Sequence, residues 1–149
     1  MGVNLDIGSD VIIKQVDAGN GSGDVVISAS GNLLGSSVVA ATTPHVRGRN
    51  ITLSSVAGGI GESGKALRVH GKEVATANGG SEHGVLNAFA NRDIYLHETE
   101  GDSWVGSLRS ETGYVWLSVQ SGSLYDGGRR LAPDTPDETQ LPAGGEKLN

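Results

Sequence analysis

Four phrases of this 149-residue chain repeat one another: GDVVIS (23–28), RNITLS (49–54), RDIYLH (92–97) and GYVWLS (113–118). Each alternates apolar and polar side chains with the period of two that a half-buried strand requires. Their second residues, Asp24, Asn50, Asp93 and Tyr114, lie 26, 43 and 21 positions apart, and 43 is close to twice 21. A period of twenty-odd residues predicts a solenoid, in which a coil too small to bury its own apolar face buries it against the next coil. Intermediate strands are expected at ALRVH (66–70) and VLNAFA (85–90). No segment holds a 3.6-residue apolar period over three turns, so no helix is expected.

The turns repeat as well. A glycine falls eight positions after Asn50, Asp93 and Tyr114, at Gly58, Gly101 and Gly122, where a corner with positive φ is expected. An apolar residue follows at Ile60, Val105 and Leu124, as though another inward-facing strand began there. The expected fold is therefore all-β, a parallel β-helix with coils of about 20 residues and at most about seven of them. Residues 1–128 form the expected single domain. Residues 129–149 carry three of the four prolines and no alternation, and are expected to be a linker or tail. A β-sandwich is the alternative, since it too has regularly spaced strands, but it gives no reason for those strands to resemble one another.

The phrases GGIGESGKALRV (58–69) and GVLNAFANRDIYLHETEGDSWVGSLRSETGYVWLSVQSGSLYD (84–126) resemble the repeats of giant secreted bacterial surface proteins of the filamentous-haemagglutinin and large-adhesin type. The resemblance spans residues 23–126. It implies a right-handed parallel β-helix at the bacterial cell surface or outside the cell, with a structural or adhesive role, no catalysis and no cofactor. It also makes a host-surface glycan or protein an expected partner. The chain departs from such proteins in being short and in lacking an export signal: MGVNLDIGSD has neither a basic start nor a hydrophobic middle. The expectation is a chain that is either intracellular or a piece of a longer exported protein.

Composition narrows the function classes. With 24 glycines, 36% hydrophobic and 4% aromatic residues, the chain turns often and packs small side chains. Its net charge of -6 disfavours nucleic acid and anionic membranes. No apolar run reaches the length of a membrane span, so membrane insertion is not expected. The absence of cysteine excludes disulfides, thiolate nucleophiles and cysteine-ligated metals.

Several stretches carry groups of chemical interest. In RDIYLHETEGD (92–102), Ile94 and Leu96 are expected to face inward and Tyr95 and His97 outward, with Glu98, Glu100 and Asp102 on a solvated turn. His97, Glu98, Glu100 and Asp102 are the weak candidates for a divalent cation, though no metal site is expected. GIGESGKA (59–66) matches the phosphate loop G-x-x-x-x-G-K-[ST] except at Ala66, and the alternating ALRVHG after it suits a strand rather than the required helix, so a glycine corner is expected. DAGNGSGD (17–24) lacks the oxygen ligands of a calcium loop and is expected to be a turn. His45, His70, His83 and His97 have no metal-binding spacing and are expected to be scattered surface imidazoles.

The ligand-binding candidates are Tyr95, Trp104 and Trp116. Tyr95 and Trp116 are expected to share an outward column, either binding sugar rings or a partner's side chains or, as the preferred reading, packing under a loop or the tail. The expected function is a non-enzymatic structural or adhesive segment. The alternatives are a lectin-like module on the aromatic column or a carbohydrate-active, lyase-like β-helix enzyme, for which Arg92, Asp93, Asp102 and Arg109 are the nearest catalytic candidates. An uncapped N-terminal coil, with the alternating VNLDI (3–7), predicts end-to-end self-association.

Overall fold

The computed structural model describes residues 2–19, 22–75, 78–79 and 81–127, and the expected tail at 129–149 lies outside them. The first coil holds β1 (Val3–Ile7), β2 (Val11–Ile13) and β3 (Val16–Asp17), and the second holds β4 (Val25–Ala29), β5 (Leu33–Gly35) and β6 (Val46–Gly48). The third has β7 (Ile51–Ser55), a bridge at Ile60 and β8 (Leu67–Gly71), followed by a short antiparallel pair, β9 (Val74–Ala75) and β10 (Ser81–Glu82). The fourth holds β11 (Leu86–Ala90) and β12 (Ile94–Glu98), the fifth β13 (Ser103–Ser110) and β14 (Val115–Val119), and β15 (Leu124–Asp126) begins a sixth. Among the described residues there is no helix.

The coils stack in parallel. One sheet runs β1-β4-β7-β11-β13-β15 and the other β14-β12-β8-β6-β3, with β2 paired to β5. The fold is thus a β-solenoid of about five turns, and the parallel pairing throughout the main sheets excludes the sandwich. The repeated phrases do not form one column, however. GDVVIS and RNITLS are neighbours in the first sheet, and RDIYLH and GYVWLS in the second. The 43-residue interval therefore crosses from one sheet to the other and is not two periods. Successive coils differ in length, from 19 residues between Leu86 and Val105 to 35 between Ile51 and Leu86.

Inside, each residue stands on its equivalent one coil away. Leu5, Ile27, Leu53, Ala88 and Leu108 form one such column, and Val11, Leu33, Ile60, Ile94 and Val115 another. Burial is complete at Ile27, Leu33, Leu53, Ile60, Ala88 and Ile94 and incomplete at the two ends of each column. Val115, the last of its column, is 42% exposed, and no described strand pairs beyond β14.

The corners are held by side-chain ladders. Asp10 Oδ1 accepts from the Asn32 backbone N–H and Asn32 Oδ1 from Gly59 N–H, while Asp24 Oδ1 accepts from Asn50 Nδ2 and Asn50 Oδ1 from Val85 N–H. Asp93 Oδ1 likewise accepts from Tyr114 N–H and Asp102 Oδ1 from Ser123 N–H. Each carbonyl or carboxylate satisfies a backbone donor that the sheets leave unpaired. Over four of these acceptors the residue is a glycine with no room for a side chain: a Cβ on Gly113 would stand 2.2 Å from Asp93 Oδ1. Gly101 and Gly122 have the expected positive φ, but Gly58 does not; it is glycine because a Cβ would stand 2.5 Å from Asn32 Oδ1. Asn50→Ala breaks two ladder contacts at once, and urea unfolding is expected to show a loss of about 1–2 kcal/mol.

Candidate functional site

Within the long interval between β7 and β11, β9 and β10 pair with each other and with neither main sheet. Beside the residues that flank this pair is a cleft of about 380 Å³, walled by His70 to Glu73, His83 and Gly84, and Glu100 to Asp102 with Trp104. It lies at the C-terminal ends of β8 and β12, in the bend before β13.

Behind this cleft is a buried carboxylate. Glu98, the last residue of β12, is 1% exposed; one oxygen lies 3.0 Å from His70 Nδ1 and the other accepts from the Gly71 backbone N–H at 3.2 Å. The expected solvated turn at Glu98 is therefore corrected: the strand alternation places it inward with Ile94 and Leu96. The bond to Glu98 raises the pKa of His70 above the ordinary imidazole value, helped by the charges of Glu98 and Glu100 and opposed by burial and Arg47. Burial raises the Glu98 pKa, and its bonds to His70 and Gly71 oppose that rise only in part. The imidazole therefore keeps its proton to higher pH than a free imidazole would.

The histidines are not the scattered surface set that their spacing suggested. His45 is 2% exposed, accepts from Arg68 N–H at Nδ1 and meets the Ser36 carbonyl at Nε2, which requires the neutral Nε2–H tautomer. Burial, the largest influence on it, lowers its pKa. His83 stacks on Trp104 with ring centroids 4.1 Å apart, and its Nδ1 lies 4.0 Å from a Glu73 oxygen. His97 occupies an outward strand position as expected, bonded to Ser118 Oγ and Gln120 Oε1, and His70 stands at the outward, half-buried position next to Val69 in β8.

The four metal candidates do not converge. His97 and Glu98 leave β12 on opposite faces, while Glu100 and Asp102 line the cleft. Among the described residues no three histidine, aspartate or glutamate side chains are grouped to hold a metal ion. GIGESGKA is the glycine corner it was expected to be, with positive φ at Gly61 and Gly64, and strand β8 follows where a phosphate loop needs a helix. Of DAGNGSGD, Asn20 and Gly21 lie outside the described residues, and Ser22 Oγ donates to the Gly19 carbonyl in a local turn.

The aromatic candidates divide. Trp104 is half-buried, with His83 and Tyr125 both stacked on it at 4.1 and 4.7 Å; its Nε1 is buried without a hydrogen-bond partner among the described residues. Tyr95 and Trp116 stand in register on the outer face of the second sheet, 6.3 Å apart and tilted by 44°. Trp116 is 48% exposed, so no described loop covers it in the way the preferred packing reading required. Of the lyase-type candidates, Asp93 and Asp102 are committed to corner N–H groups, Arg109 pairs with Glu111, and Arg92 sits on the corner before β12 with its backbone N–H donated to Gly58. His70, Lys72 and His83 had no sequence motif to mark them. The available signal was positional: Glu98 follows the inward Ile94 and Leu96 at the same alternation.

No protein-family model, no curated protein and no solved structure matches this chain. Nor does any helix among the described residues have the length and apolar character to cross a membrane.

Proposed function

We propose that this chain is a structural, non-enzymatic solenoid module of an extracellular bacterial surface protein or fibre, supplying length and rigidity and joining end to end with further coils. The resemblance of its repeats to large adhesins suggests that setting. The observation that carries the reading is the contrast between middle and ends: inward residues of the second to fourth coils are sealed, whereas those of β1 are half-buried and Val115 is exposed. Among the described residues, terminal coils with half-open apolar interiors and strand edges that have no neighbour favour continuation of the stack.

The polarity of β1 defines a test. Val3 N–H donates to Asp24 O and Ile7 O accepts from Ser30 N–H, so the alternate residues Asn4 and Asp6 turn their N–H groups to the open edge. Asn4→Pro removes an edge donor without breaking a bond to β4. Sedimentation velocity over a hundredfold concentration range is expected to show the wild-type chain associating and Asn4→Pro remaining monomeric. A wild-type chain that stays monomeric at every concentration would refute the stacking reading.

A further inference from the structure

We propose that the cleft walled by His70, Lys72, Glu73, Glu100, Asp102 and Trp104 binds a neutral, hydroxyl-rich ligand, one or two rings of a saccharide, with His70 as its central hydrogen-bonding group and Glu98 as the residue that positions it. This site is independent of end-to-end stacking.

The first ground is the interior column that contains Glu98. Strand register aligns Val16, Val46, Val69, Glu98 and Val119, so a single carboxylate interrupts a file of valines. Packing alone is met by valine there, and a buried ionisable group costs stability unless it is fully partnered. A residue that breaks the local rule of its fold marks a position held for something other than the fold.

The second ground is the order of the two groups. His70 lines the cleft and Glu98 does not: the carboxylate sits behind the imidazole and fixes it through Nδ1. No other hydrogen bond of the His70 ring is present among the described residues, which leaves Nε2 for a ligand. A carboxylate that orients an imidazole from behind sets its tautomer and strengthens its bonding through the other nitrogen.

The third ground is the chemistry of the wall, which selects the ligand class. Glu73, Glu100 and Asp102 outnumber Lys72 as fixed charges, so phosphates and uronates are disfavoured. A metal ion is disfavoured because three ligands do not converge. An apolar ligand would find only Trp104, on which His83 and Tyr125 already stack. Hydroxyl groups remain: they donate to carboxylates, accept from Lys72 and do either with an imidazole. The volume matches the lower end of small-ligand pockets, which begin at about 300 Å³.

The test is nuclear magnetic resonance on the ¹⁵N-labelled full chain, titrated separately with maltotetraose, mannotetraose, galactotetraose and chitotetraose, with trigalacturonate as the anionic comparator. At least one neutral sugar is expected to shift the amides of Gly71, Gly84 and Gly101 and the Trp104 indole, with trigalacturonate binding at least about tenfold more weakly. Glu100→Gln removes a carboxylate acceptor from the cleft and a charge that favours the His70 imidazolium, and is expected to weaken binding about tenfold. Glu98→Val completes the valine file, should fold, and is expected to weaken binding by a similar factor through loss of His70 positioning. The proposal is overturned by the absence of shifts at these positions up to about 20 mM of every neutral sugar, by equal binding of trigalacturonate, or by shifts confined to Tyr95 and Trp116.

Discussion

His70→Ala is expected to lower the unfolding free energy by about 3 kcal/mol, and Glu98→Val to leave it unchanged or raise it. The asymmetry follows from what each change leaves behind. Without His70, the Glu98 carboxylate remains buried with the backbone N–H groups of Gly71 and Glu100 as partners and no counter-charge bonded to it. Without Glu98, a valine joins Val46, Val69 and Val119, and His70, 14% exposed at its side chain, can turn to water. The double change His70→Ala with Glu98→Val should sit close to Glu98→Val alone, so the two effects should be strongly non-additive. Urea unfolding of the four proteins measures this directly. A His70→Ala loss below about 1 kcal/mol would mean that the pair is not desolvated as the geometry indicates.

The same pair has a pH signature. The folded-state pKa of His70 is raised, so its contribution is fully present below the ordinary imidazole value and is lost as pH rises through the folded value. The raised pKa of Glu98 acts in the same sense, because the folded state again holds the extra proton. The groups facing the pair are Glu100, whose charge favours imidazolium, and Arg47, whose charge opposes it; Lys72, Glu73, His83 and Asp102 share the cleft. His45 works in the opposite direction: its lowered pKa gives stability above the ordinary imidazole value that is lost on acidification. The pair's share is therefore the difference between the wild type and the double variant. That difference is expected to shrink as pH rises above the ordinary imidazole value of 6.5.

How much of this was legible depends on whether a feature is local or lies between coils. Alternation in GDVVIS, RNITLS, RDIYLH and GYVWLS identified the strands, and their mutual likeness identified stacking, because each local apolar face needs an equivalent neighbour. Which strand lies on which sheet was not legible. The interval from Asn50 to Asp93 contains an excursion, and nothing local distinguishes a longer coil from two coils. The site was hidden for the same reason. Glu98 sits between His97 and Thr99 in a stretch rich in charge, and only register with Val69 and Val119 shows that it stands in an apolar file. His70 and Glu98 are 28 positions apart, and their meeting depends on the coil length that the sequence leaves open. The corner acceptors were half visible. Asp24, Asn50 and Asp93 were recognised as repeated positions, but their bonds to the following coil come from the stack and not from any turn motif.

Leu53→Ala is expected to cost about 3–4 kcal/mol and to divide the unfolding transition in two. Leu53 is fully buried at the centre of the rod, in register with Ile27 below and Ala88 above. Its neighbours belong to paired sheets that cannot close around the missing methyl groups without breaking strand register, so most of the cavity should persist. Leu5→Ala removes the same atoms from the half-buried first coil and should cost only about 1 kcal/mol. In a stack where each coil touches mainly its neighbours, a weak central interface uncouples the two ends. Both tryptophans, Trp104 and Trp116, lie in the fifth coil, so fluorescence follows the C-terminal end while far-ultraviolet circular dichroism follows every strand. The two probes should coincide in the wild type and separate in Leu53→Ala. Coincident transitions with a loss below about 1 kcal/mol would show that the inward file is not what joins the coils, and that the ladders of Asp10, Asn32, Asp24 and Asn50 carry the stack instead.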